Sequence, residues 1–128
     1  MTVDMNMNVL IADHYLAMLQ ILRNQMRQLN FTNIQEVTDA KEALEKLRAG
    51  EFGLIISDWD TQPMSGLQLL QEVRADAKLK RIPFIMIMGE SKSENVIAAK
   101  KAGVSNLIVR PFNAEMLKSK LVSVLGNF

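Results

Sequence analysis

The chain has 128 residues, a net charge of +1 and no cysteine. A chain of this length removes roughly two thirds of its unfolded surface from water, enough to fold as one domain, 1–128, without disulfides or a structural metal. The missing thiols exclude thiolate catalysis, cysteine-ligated zinc and a disulfide framework, and the near-neutral charge gives no electrostatic reason to expect nucleic acid or a membrane surface as partner. No apolar stretch approaches the ~20 residues of a membrane span. The segment Met1–Met7 lacks the basic and apolar regions of a secretory signal, so a cytoplasmic monomer is expected.

Five short apolar runs, at approximately 8–12, 33–37, 53–58, 83–88 and 105–109, alternate with five helical patterns. Several runs are continuously apolar and β-branched, as strands covered on both faces require. Tyr15, Leu19, Leu22, Met26 and Leu29 form the apolar stripe of the first helix. Ala40, Ala43, Leu44 and Leu47 form that of the second, which opens at Asp39 and stops at Gly50. Ser65 three before Gln68 and Ser91 three before Glu94 open the third and fourth, and Gly103 closes the fourth. The last helix starts at Asn113 and buries Leu117, Leu121 and Val124. Strict βα alternation with short loops predicts an α/β fold: a five-stranded parallel sheet with helices on both faces.

In such a sheet, ligand chemistry collects outside the carboxyl ends of the strands. The third run ends in Asp58, the first is followed by Asp13-His14, and the fifth by Arg110. A carboxylate that can be phosphorylated, beside a second acid and a cation, suggests a phosphoryl switch. Arg110 is expected to pair with Asp58, its planar fork suiting a carboxylate or a phosphate. Trp59 is expected as a half-buried lid beside the acid.

Ile55-Ile56-Ser57-Asp58-Trp59, Gly66-Leu67-Gln68-Leu69-Leu70, Glu94-Asn95-Val96-Ile97-Ala98-Ala99 and Val109-Arg110-Pro111-Phe112 together resemble the receiver domains of two-component response regulators. The resemblance runs from about Val9 to Leu125. The Trp after the acid and the Glu-Asn helix start resemble the single-domain chemotaxis branch, the CheY-like regulators. It implies a doubly wound, flavodoxin-like sheet of strand order 2-1-3-4-5. It also implies Asp58 as phosphoacceptor for a chemotaxis-type histidine kinase, Mg²⁺ as cofactor, and a flagellar motor switch protein as a further partner. Lys92, Leu107 and Lys120 match the family's partner-binding face, and Glu90 matches a position that influences dephosphorylation.

Against that pattern four parts are altered. His14 stands where a second acid is usual, Met88 replaces the hydroxyl residue ending the fourth strand, Arg110 replaces a lysine, and Leu107 replaces the aromatic of the fifth strand. The proline of the loop after Asp58, Pro63, stands one position late. Asp13 and Asp58 offset by Arg110 leave about one negative charge, and a protonated His14 removes it. A metal site drawn from Asp13, Asp58 and Asp60 is therefore expected to hold Mg²⁺ weakly or not at all. Met88 has no donor for a phosphoryl oxygen, and Leu107 has no ring to swing, so motor-switch binding is expected to be weak or absent. The competing reading is a phosphorylation-independent pseudo-receiver that binds a protein or competes for a kinase. An enzyme or flavin carrier has little support, because no glycine-rich phosphate loop or nucleophile–base pair appears.

Overall fold

Alternation of apolar strands and amphipathic segments resolves into ten elements: β1 Val9–Ala12, α1 Leu16–Gln28, β2 Ile34–Val37, α2 Ala40–Ala49, β3 Leu54–Asp58, α3 Gly66–Ala75, β4 Phe84–Met88, α4 Ser93–Lys101, β5 Asn106–Val109 and α5 Ala114–Leu125. They are seen in a computed structural model that describes residues 3–61, 64–89 and 92–128. All strands pair in parallel, in the order β2-β1-β3-β4-β5. Each strand begins one residue later than its apolar run, and the predicted fold class and strand order hold.

Alternation along the strands divides the core in two, because successive side chains leave opposite faces of a sheet. Leu10, Ala12, Ile55, Phe84, Met86 and Met88 meet the apolar faces of α2 and α3, with Val96 of α4 alongside. Val9, Ile11, Leu54, Ile56, Ile85, Ile87 and Ile108 meet α1 and α5. The central strands β1, β3 and β4 are buried along their whole length, which is why their sequences read as unbroken apolar runs.

Local signals start the helices. Asp39 accepts the N–H of Glu42 at 2.7 Å, Asn113 accepts that of Met116 at 2.8 Å, and Ser65 forms a reciprocal box with Gln68. Two expectations are corrected. Tyr15 is not part of the α1 stripe: it is the N-cap residue, in extended backbone and 59% exposed. The apolar spacing runs one residue past the start of the helix, where helical periodicity no longer applies. At α4 the N-cap is Lys92, with no side-chain cap; Ser91, like Glu90 and Pro63, lies outside the described residues. Gly103 does follow α4, with φ of +93°, a left-handed stop that favours glycine.

Arg74 of α3 carries a network that sequence pattern does not reveal. Its Nε donates to the carbonyl of Gly103 at 2.8 Å, Nη1 to those of Ile82 and Lys80 at 2.6 and 3.1 Å, and Nη2 to Ser105 Oγ at 3.2 Å. Burial pulls its guanidinium below the ordinary value. The basic cluster Lys78–Arg81 is partly structural. Leu79 is buried, and Lys78 Nζ donates to the carbonyls of Arg48 and Gly50 at 2.9 Å, satisfying the end of α2.

Candidate functional site

β1 pairs with β2 on one side and β3 on the other, so the chain reverses its winding direction between β1 and β3. A crevice opens at the carboxyl ends of strands at such a point. Asp58 is the last residue of β3 and 1% exposed. Its main chain is held on several sides. Ser57 Oγ donates to the Asp58 carbonyl at 3.0 Å, the Trp59 N–H donates to the Ile87 carbonyl at 2.9 Å, and the Gly66 N–H donates to the Trp59 carbonyl at 2.8 Å. The first residue of α3 thus lies directly against Asp58. A Cβ at Gly66 would fall 2.1 Å from the Asp58 carbonyl oxygen.

Asp13 follows β1 and is fully buried. Its Oδ1 accepts the Tyr15 N–H at 2.9 Å, while its buried Oδ2 has no hydrogen-bond partner among the described residues. Burial raises the Asp13 pKa above the usual carboxylate range, opposed by the Tyr15 N–H; the charge of Asp58 raises it further, and Arg110 and His14 lower it. A carboxyl whose folded-state pKa is raised contributes stability below its unfolded value, and that contribution is lost as pH rises through the folded value. Asp13→Asn, which keeps an acceptor for Tyr15 but cannot ionise, is expected to melt at a higher temperature than the parent at neutral pH. The gap should close below the usual carboxylate range. Thermal melts across pH check this, and a lower neutral-pH midpoint for the variant would contradict it.

Beside Asp13, the ring of His14 packs on that of Tyr15 with centroids 4.0 Å apart. Asp13, His14 and Asp58 each offer one ligand atom, and these atoms lie within 4.8 Å of one another. His14 is partly exposed where Asp13 and Asp58 are buried, so the trio opens outward on the imidazole side.

Arg110 reaches Asp58 from two strands away. It follows β5, donates its own N–H to the Met88 carbonyl at 2.9 Å, and precedes a cis bond to Pro111. Its Nη1 contacts Asp58 Oδ1 at 2.6 Å. Strands lie about 4.8 Å apart, so a residue after β5 needs a long side chain to reach β3 across β4. Gly89 clears that path, since a Cβ there would come 3.1 Å from Arg110 Nη2. The pairing expected from the residue types is thus present through a single nitrogen, with no two-pronged fork.

The other sequence candidates divide into those at the crevice and those away from it. Asp60 donates its backbone N–H to Asp58 Oδ2 at 3.2 Å, but its exposed carboxylate is not one of the three clustered ligands. A cleft of about 370 Å³ next to Asp58 is lined by Trp59, Asp60, Met88, Gly89, Lys92 and Arg110. Met88 is 2% exposed and belongs to the core beneath that cleft, where half-buried Trp59 also packs. Leu107 is half-buried against the same core on β5, and Lys120 lies on α5. Glu90 lies outside the described residues. Sequence reasoning missed Gly66 and Gly89 as site residues, whose value is the absence of a Cβ.

The chain is similar to known proteins along most of its length. A family profile described as the response regulator receiver domain matches residues 9–122. Chemotaxis protein CheY-3 of Vibrio cholerae is 44% identical over 116 residues, covering 91% of this chain and 89% of that protein. Chemotaxis protein CheY of Pseudomonas aeruginosa is 40% identical over 118 residues, covering 92% and 95% respectively. The solved structure of chemotaxis response regulator CheY4 of Vibrio cholerae superposes with a TM-score of 0.87 at 28% identity, covering 94% of this chain and 99% of that one.

Proposed function

This chain belongs to the response regulator receiver domain family, in its chemotaxis branch, and on that footing we propose that it is an atypical phosphoryl acceptor that has lost most of its use for magnesium. The observation that carries the reading is the Asp58–Arg110 contact of 2.6 Å beside a cleft that Arg110 lines. A carboxylate oxygen of Asp58 attacks the phosphorus of a phosphohistidine on a chemotaxis-type histidine kinase. The new O–P bond forms as the N–P bond breaks and the imidazole leaves with the electron pair. Arg110 supplies positive charge for the arriving phosphoryl group, and the backbone N–H of Asp60 holds the attacking carboxylate in place. The domain acts by carrying this modification and binding proteins, not as an enzyme.

The family's cofactor fits the donors poorly. Mg²⁺ prefers six oxygens in near-ideal octahedral geometry and, when bound, neutralises phosphoryl charge. Arg110 already offsets the charge of Asp58, and His14 offers nitrogen where an oxygen is wanted. Only Asp13 Oδ2 stands free among the buried oxygens described in the trio. Magnesium is therefore bound weakly or not at all, and phosphoryl transfer is slow.

The readout is altered as well. Buried Met88 has no hydrogen to donate to a phosphoryl oxygen, and Leu107 fills its place against the core without a ring. A flagellar motor switch protein is bound weakly or not at all, although Lys92 and Lys120 retain positive charge on that side. Met88 and Leu107, which remove the usual coupling pair, favour a second reading: a phosphorylation-independent pseudo-receiver that occupies a kinase in competition with other regulators. Both readings place the protein in the cytoplasm as a single-domain monomer, away from nucleic acid and membranes; no helix among the described residues is long and apolar enough to cross a bilayer.

Incubation with a small acyl-phosphate donor, followed by intact mass measurement, separates the readings. The parent gains one phosphoryl group slowly and Asp58→Asn gains none. An unmodified parent after prolonged incubation supports the pseudo-receiver.

A further inference from the structure

The trio that suits magnesium poorly has the donors of a different class of ion. We propose that Asp13, His14 and Asp58 form a site for a divalent transition metal that accepts nitrogen, of the Zn²⁺ or Co²⁺ class, with His14 as the ligand that sets the preference. This rests on the reading above only in its account of the same crevice, not on phosphorylation.

Three observations carry it. One ligand atom from each residue lies within 4.8 Å of the others, so a single ion can be reached by all three through small side-chain adjustments. Asp13 Oδ2 is buried on a fully buried residue and has no hydrogen-bond partner among the described residues. Such an orphaned oxygen carries an energetic penalty that an ion would relieve. The third donor is imidazole, partly exposed and making no hydrogen bond among the described residues, so a ring nitrogen is available to a metal.

The chemistry then selects the ion. Two carboxylates and one imidazole give three protein ligands of mixed oxygen and nitrogen type. Zinc accepts three such ligands and completes four-coordination with water. Magnesium gains little from nitrogen, whereas affinity for such donors rises toward the later first-row metals. Asp58 can contribute while Arg110 stays in place, because a carboxylate oxygen has lone pairs beyond the one that Nη1 occupies. With Asp13 and Asp58 negative and Arg110 positive, a divalent ion leaves the crevice about one unit positive, which suits a phosphate or hydroxide as the fourth ligand.

The sequence makes the site unusually easy to test. His14 is the only histidine and there is no cysteine, so nitrogen or sulfur ligation by any other side chain of those types is excluded. The parent protein is titrated with Co²⁺, with Zn²⁺ and with Mg²⁺, following cobalt's visible absorption and the fluorescence of Trp59, which adjoins Asp58. The parent develops intense cobalt bands of four- or five-coordinate geometry that Zn²⁺ bleaches at stoichiometric amounts, while Mg²⁺ at large excess leaves them in place. His14→Gln loses the bands and at least about a hundredfold in zinc affinity, because even an outer-shell partner of a metal costs roughly 10–100-fold. Asp13→Asn loses affinity by a similar factor with His14 intact, which separates this crevice from binding by the terminal amine. Unchanged zinc affinity in His14→Gln, or displacement of cobalt by magnesium at comparable concentration, would overturn the proposal. Mass spectrometry after acyl-phosphate treatment is run on the same metal-free samples. A phosphorylated protein with no cobalt bands defeats this inference alone, and cobalt bands on a protein that never gains phosphate defeat the phosphoacceptor reading alone.

Discussion

His14→Asp is expected to raise magnesium affinity by one to two orders of magnitude. A unit charge about 4 Å from another is worth about 4 kcal/mol at an effective dielectric of 20. Solvent at the partly exposed position and the like charges of Asp13 and Asp58 reduce this to a net gain of about 1.4–2.8 kcal/mol, or roughly 10–100-fold. The change exchanges a nitrogen donor for an oxygen donor, so it acts on ligand type as well as charge. Adding Met88→Thr places a hydroxyl at the end of β4, beside the cleft where a phosphoryl group on Asp58 would lie. The double variant is expected to gain phosphate-dependent affinity for a protein partner, measured as binding with and without an acyl-phosphate donor. Met88 is buried, and shortening such a side chain costs about 2 kcal/mol or more, so the comparison belongs well below the melting temperature. If the double variant gains neither magnesium affinity nor phosphate-dependent binding, the altered crevice is not the reason for any lost response.

Gly66→Ala is expected to be the most damaging single methyl in the site. The added Cβ would stand 2.1 Å from the Asp58 carbonyl oxygen and 3.0 Å from both the Asp58 carbonyl carbon and Met86 Sδ. The nearest contact is backbone, which cannot rotate away, so relief requires α3 to move off β3 or Asp58 to turn. Overpacking commonly costs about 1–3 kcal/mol; a backbone clash this short belongs at the upper end or beyond, at about 3 kcal/mol or more. Denaturant unfolding checks the stability, and the rate of phosphoryl gain in the surviving folded fraction checks the geometry. A variant as stable as the parent would show that α3 is not seated on Asp58 as described. Gly103→Ala offers a contrast, since its strain comes from positive φ, not from a collision with the site.

The fold was readable because its signals are local and mutually consistent. Apolar runs, capping residues such as Asp39, Ser65 and Asn113, and short loops all require the same βα alternation. The Asp58–Arg110 pair was readable for a related reason: strand ends converge on one edge of a parallel sheet, so charged residues there meet. What escaped depends on distances between segments remote in sequence. Arg74 finds four acceptors, in Lys80, Ile82, Gly103 and Ser105, that no periodicity links to it. Nothing in the order of residues shows that Asp13 Oδ1 finds the Tyr15 N–H while Oδ2 finds nothing. An apolar spacing of four continues across a helix start as readily as within a helix, so it does not separate Tyr15 at the N-cap from the stripe of α1. Asp60 was a plausible metal-side acid from its position, yet it serves Asp58 through its backbone while its carboxylate is exposed.

The central claim is that the crevice keeps its phosphate acceptor while lacking the oxygen donors that magnesium needs. A diffraction experiment on crystals soaked in magnesium tests it directly. The expected map shows Arg110 Nη1 still on Asp58 Oδ1 and no ordered octahedral ion between the carboxylates. A fully occupied octahedral magnesium coordinated by Asp13 and Asp58 would contradict it.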